Sequence, residues 1–146
     1  LCFEGGIRSY VEFLLEKAEG ESIDDSVKAA FDGFKKKFIE SMADAASAVH
    51  NMFEGKIAYI NVMCNMSVDC DCCAVAEDPC MKDIGILASL DPIAIDQACI
   101  DLVYNSNDEG KDHFIERVES RHGIHTIEAA AELGFGNREY ELINVD

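Results

Sequence analysis

The sequence predicts an α/β fold: a small layered domain in which a partly parallel sheet of about three or more strands is flanked by helices. Three observations predict it. Short apolar runs with β-branched and aromatic residues at 56–63, 84–89 and 139–145 read as strands. Apolar residues recur every three or four positions over longer stretches, which read as helices. The two kinds of segment alternate along the chain, the pattern of a layered sheet with helical connections. A length of 146 residues with 49% hydrophobic content suits one compact domain with its own core. The expected organisation is an amino-terminal helix with an acidic linker, residues 1–25, and a single α/β domain, residues 26–146.

Taken in order, Ile7, Tyr10, Val11, Leu14 and Leu15 form the stripe of a first helix ending near Gly20, and the acidic residues 19–25 form the linker. From Ser26, the positions Val27, Phe31, Phe34, Phe38, Met42, Ala45, Val49 and Phe53 keep the helical period, and Gly55 is a natural stop. That stripe is expected to be core, with Lys28 and Lys35 to Lys37 on the solvated face. KIAYINVM (56–63) and IGILAS (84–89) follow as buried strands. Asp91-Pro92 then starts a helix: Asp can accept bonds from free amides, and Pro suits the first helical position. Ile95, Ala98, Cys99, Leu102 and Val103 are its buried stripe. Further helices are expected at about 112–120 and 126–133, closed by Gly134 and Gly136, before a last strand at 139–145 with one solvated face. No internal repeat or low-complexity tract is visible.

Charge excludes several functions. Twelve basic against twenty-nine acidic residues leave a formal net charge of −17, which repels phosphate backbones and anionic membrane surfaces. No window is a membrane span and the first residues do not form a signal peptide. Seven cysteines are an odd number, and adjacent ones such as Cys72 and Cys73 are poorly placed to bond each other, so a reducing cytoplasm is the expected location. Because the chain opens on Leu, its parent protein is expected to extend upstream.

The segment NMSVDCDCCAVAEDPCMKDIG, residues 65–85, concentrates the chemistry. Thiolates are soft ligands for zinc or for iron–sulfur iron, and Cys64, Cys70, Cys72 and Cys80 can supply four, with Cys73 in reserve. The spacing C-x5-C-x-C-C-x6-C is neither a zinc ribbon nor a bacterial ferredoxin run. Asp69, Asp71, Glu77, Asp78 and Asp83 oppose thiolate formation by like-charge repulsion, yet carboxylates also help to hold a divalent ion. Three readings stay open: a metal or cluster site, a structural loop with reduced thiols, or a redox dithiol. Placed between two strands, the loop is expected at strand carboxyl ends, where open α/β sheets bind ligands.

Other candidates are fewer. Asp91 reads as a cap. Asp96 and Gln97 lie one turn on, and Asp96 is a candidate to face the same sheet edge as the loop. His122 and His125 flank Gly123 as candidate ligands or bases, and Cys99 reads as a small buried residue. No nucleophile elbow and no phosphate loop is present.

The segments AYINVMCNMSVDCDCC, DIGILASLDPIAIDQACIDLV and GIHTIEAAAELGFGNREYELINV together resemble the carboxyl-terminal part of the family called domain of unknown function 362, over about residues 30–146. Members are described as uncharacterised iron–sulfur centre proteins. The resemblance implies an α/β fold and a link to 4Fe–4S chemistry, without implying a reaction. The positions matching the family's motifs are Asp69, Cys70, Asp71 and Cys72, then Asp83, Asp91, Asp96 and Gln97. Relatives often carry an upstream ferredoxin-like segment with closely spaced cysteines, which this chain lacks, while Cys73 and Cys80 are additions. Separately, FEGGIRSYVEFL, residues 3–14, looks like a fragment of the DNA gyrase B subunit, but the ATP-binding and cleavage motifs of that enzyme are absent.

The leading expectation is therefore an iron–sulfur or metal-binding domain with a redox or electron-transfer role, partnered by a ferredoxin-like domain or redox protein. Its expected metal residues are Cys64, Cys70, Cys72, Cys73, Cys80, Asp69 and Asp71. The alternatives are a scaffold that docks a partner or missing cluster domain and binds no metal, and a small-molecule enzyme using Asp91, Asp96 and His122 or His125.

Overall fold

A computed structural model of the chain describes residues 25–69 and 74–145. The expected amino-terminal helix, most of the acidic linker and the gyrase-like stretch lie outside these residues. Helix α1 spans Asp25–Met52, strand β1 Tyr59–Met63, strand β2 Gly85–Ser89, helix α2 Pro92–Tyr104, helix α3 Lys111–Ser120 and helix α4 Gly123–Glu132. The protein is thus a mixed helix-and-strand fold, with each of these elements close to where the sequence places it. Among the described residues no helix is long and apolar enough to cross a membrane.

The sheet departs from expectation. It has two described strands, paired antiparallel with Tyr59 opposite Ser89 and Met63 opposite Gly85, in place of a partly parallel sheet of three or more. Parallel neighbours need a crossover that carries the chain back along the sheet, usually a helix. The described part of the 64–84 connection holds no helix and reverses the chain directly. The expected third strand, 139–145, has no regular structure. Its side chains explain why: the Tyr140 hydroxyl donates to Asp101 Oδ2 at 2.8 Å and Arg138 Nε donates to Gln97 Oε1 at 2.9 Å, so the segment lies along α2.

Helix α2 is the centre of the molecule. Asp91 caps it by accepting from the Ile93 and Ala94 amides at 2.9 and 3.0 Å, with Pro92 in the first turn. At one end its Ile93 joins Ala43, Ile127, Ala129 and Ala130 in a cluster between α1 and α4. At the other its Val103 joins Met63 and Met81 beneath the sheet, with Phe114 and Ile115 of α3 packed around them. One face of the hairpin, including Met63 and Leu87, packs on this second cluster. The other face, Ile60 at 66%, Val62 at 61% and Ile86 at 68% exposed, is bare.

The stripe of α1 from Phe34 onward is also not core, while the side chains of Val27 and Phe31 lie outside what the structure describes. Phe34, Phe38, Met42, Val49 and Phe53 are all exposed, while the helix is buried at Ile39 and Ala43. The physical reason is the contact with α4, where Ala43 packs with Ile127, Ala129 and Ala130 and polar pairs flank it: His122 Nε2 is 3.5 Å from Asp32 Oδ1 and His125 Nε2 is 3.0 Å from Glu40 Oε1. Asp32, Ile39, Glu40 and Ala43 lie on one side of α1, and the apolar stripe lies roughly a third of a turn away from it. The helix end is tied to the sheet by a 2.7 Å hydrogen bond between His50 Nδ1 and the Tyr59 hydroxyl.

Candidate metal centre at the cysteine loop

The 64–84 loop begins as an extension of the hairpin. Met66 and Met81 form an isolated antiparallel bridge, the Cys80 amide donates to the Met66 carbonyl at 2.9 Å, and the Asn65 amide donates to Asp83 Oδ1 at 2.8 Å. Farther out the two limbs are joined again. Ser67 Oγ donates to the Glu77 carbonyl at 2.9 Å, and the Glu77 amide donates to Asp69 Oδ2 at 3.1 Å.

Helix α3 closes this junction with Arg117 and His113, one turn apart. Arg117 donates to Asp69 Oδ1 at 2.8 Å and lies 3.6 Å from Glu77, whose other oxygen is 2.9 Å from His113 Nε2. The Glu77 amide, then the Arg117 guanidinium, holds the Asp69 carboxyl below its ordinary value. The return limb is fixed from below by Asp108, which accepts from the Lys82 amide at 3.2 Å and the Gly110 amide at 2.9 Å; these two bonds depress its pKa. Gly110 is required here, because a Cβ at that position would overlap the Cys80 carbonyl oxygen.

Of the expected metal residues, Cys70, Asp71, Cys72 and Cys73 lie outside the described residues. Cys64 is a half-buried free thiol. Cys80 is packed against the Met63 cluster, its thiol 3.4 Å from the Met66 carbonyl. The Asp69 carboxylate is taken up by Arg117 and the Glu77 amide. Among the described residues no three metal-ligating side chains converge.

The remaining candidates stand elsewhere. Antiparallel pairing puts the loop where β1 ends and β2 begins, so Asp91, beyond the far end of β2, is at the opposite end of the hairpin. Asp96 does not face the loop either: it accepts from Asn61 Nδ2 at 2.9 Å in the middle of β1. The same amide lies 3.3 Å from Cys99 Sγ, and burial, aided by the Asp96 charge, pushes that thiol up. A cavity of ≈ 310 Å³ beside β1 is lined by Cys99, Met63, Val103 and Phe114 among others, and by none of Asp91, Asp96, His122 or His125.

Sequence reasoning missed His113, Arg117 and Asp108. A signal for the first two existed: a histidine and an arginine at i and i+4 on a predicted helix. The two family-like patterns also turn out to grip each other. Asp91 Oδ2 accepts from the Asn137 amide at 2.9 Å, and a Cβ on Gly136 would overlap Asp91 Oδ1 and Ile93.

No curated protein and no solved structure matches the chain. The sequence profile of the family described as Domain of unknown function (DUF362) matches residues 15–101, which takes in α1, the cysteine loop and most of α2 but stops short of the GFGNREYEL segment. With more than half of its length matched, the chain belongs to this family of unknown function.

Proposed function

We propose that the protein is a metal-binding domain whose cysteine loop takes zinc or the iron of an iron–sulfur cluster, in the service of redox or electron-transfer chemistry. One observation carries this reading: the loop is cinched at Asp69 and Glu77 by Arg117 and His113. Joining positions 69 and 77 closes a short loop of the chain, and closing a loop beforehand lowers the entropy cost of gathering ligands from it about an ion. The Arg117 guanidinium also offsets the charge of Asp69 and Glu77, two of the five carboxylates that work against thiolate formation. Cys70, Cys72 and Cys73 are the proposed ligands, with Cys64 a candidate to complete the set. Asp71 is a hard donor or a partner to a ligand. Asp69, already engaged by Arg117, orients the loop. The bound group would supply electron transfer if a cluster, or local rigidity if zinc.

Elemental analysis and a visible spectrum on protein purified without oxygen test this directly. Stoichiometric iron with sulfide, or zinc, is expected, and the Cys70→Ser/Cys72→Ser double variant should lose it while keeping its circular dichroism spectrum. Stoichiometric metal retained in that variant would overturn the proposal.

The bare sheet face favours a second reading, a scaffold that docks a ferredoxin-like domain. Ile60, Val62 and Ile86 form the kind of exposed apolar patch that marks an interaction surface. Protein that carries no metal when purified without oxygen supports this reading over the first.

A further inference from the structure

We propose that α1 is a dimerisation helix, and that its exposed apolar stripe packs antiparallel against the same stripe of a second copy of this chain. This goes beyond the reading of the cysteine loop and does not depend on it. Phe34 is 57% exposed, Val49 52% and Phe53 46%, with Phe38 and Met42 at 37% each. From Phe34 to Val49 their spacing keeps them in one line for about 22 Å of helix, with Phe53 just beyond its end. A line of large apolar side chains at intervals of three and four fits another helix, whose side chains fall into the gaps between them.

Two features identify that helix as a second α1. The first is charge. The chain carries −17, so most of its surface repels its own copy, but α1 is balanced, with Lys28, Lys35, Lys36 and Lys37 against Asp25, Asp32, Glu40 and Asp44. At 100° per residue none of the four acidic positions falls on the stripe or beside it. Asp32 and Glu40 are turned to His122, just before α4, and to His125 on it. The neighbouring positions are Lys35 and small residues such as Ser41, Ala46 and Ala48, which permit close approach without carboxylate repulsion.

The second feature is symmetry. Along the sequence, Phe38 and Met42 stand at equal distances either side of Glu40, as do Phe31 and Val49. Two antiparallel copies related by a two-fold axis at that level bring the members of each pair together. A two-fold interface requires such self-complementarity, and a different partner does not.

The full chain should show a concentration-dependent monomer–dimer equilibrium by sedimentation, with a dissociation constant in the micromolar range. Phe38→Lys and Met42→Glu each alter an exposed position and should weaken the dimer by about tenfold or more. Mixed together they should recover it, because antiparallel pairing sets the introduced ammonium of one chain against the introduced carboxylate of the other. A monomer at every concentration overturns the proposal and leaves the stripe to another part of this chain or to a different protein. A dimer unaffected by either variant overturns it in favour of the sheet face. Weakening without recovery on mixing overturns the antiparallel register.

Discussion

Asp69 shows how one carboxylate takes different meanings from its neighbours. In the sequence it is one of five acidic residues around the thiols and reads as a metal donor. In the fold it accepts from the Glu77 amide and from Arg117, and these bonds depress its pKa below the ordinary 3.8. A carboxyl depressed by folding contributes stability that is fully present above its ordinary value and is lost as pH falls through the lower folded value. The junction between positions 69 and 77 is therefore expected to stay closed at neutral pH and to open in acid below that point. Hydrogen exchange of the Glu77 amide, referenced to its unfolded rate, measures this: protection should fall through the acid titration of Asp69. The Asp69→Asn variant should lack the step, and a step that persists there would assign it to another group.

At the scale of elements, α2 is held by the residue that caps it. Asp91 uses one oxygen for the Ile93 and Ala94 amides and the other for the Asn137 amide, joining the cap to the carboxyl-terminal segment. Asp91→Ala should cost about 1–2 kcal/mol, from the lost cap together with the stranded Asn137 amide. Asp91→Asn, which keeps an oxygen for the cap, should cost less. Urea midpoints at constant slope give both values, and equal costs would show that the cap is not the source. The sequence made the cap legible, because Asp-Pro before an apolar helix has a local meaning. It could not reveal Asn137, since that contact joins segments far apart in the chain.

For the whole molecule, the distribution of apolar residues matters more than their number. Met63 is 5% exposed and sits in the cluster with Met81 and Val103, whereas Ile86 on the same hairpin is 68% exposed. Met63→Ala should cost about 2–5 kcal/mol through lost burial and the cavity it leaves. Ile86→Ala should change the stability of the isolated monomer by only about 0.5 kcal/mol. Denaturation of both variants at a concentration below that of dimer formation checks the contrast. A large cost at Ile86 would mean that the sheet face is covered in solution.

The elements were legible from local sequence. Helical spacing, the Asp91-Pro92 start and the β-branched runs are local properties, so α1, β1, β2, α2, α3 and α4 lie close to the positions they specify. The sequence also shows where the thiols concentrate and that the surface is acidic. Tertiary structure alone decided which faces these elements bury. Whether β1 and β2 run antiparallel depends on the path between them, and whether α1 buries Phe38 or Ala43 depends on which side meets α4. The periodicity of a stripe marks it as apolar and aligned, and fits equally well a face turned to its own core or to another molecule. Likewise Arg117 and Asp69 become partners only when α3 is laid across the loop, because an ion pair depends on distance in space and leaves no mark in the local pattern of either segment.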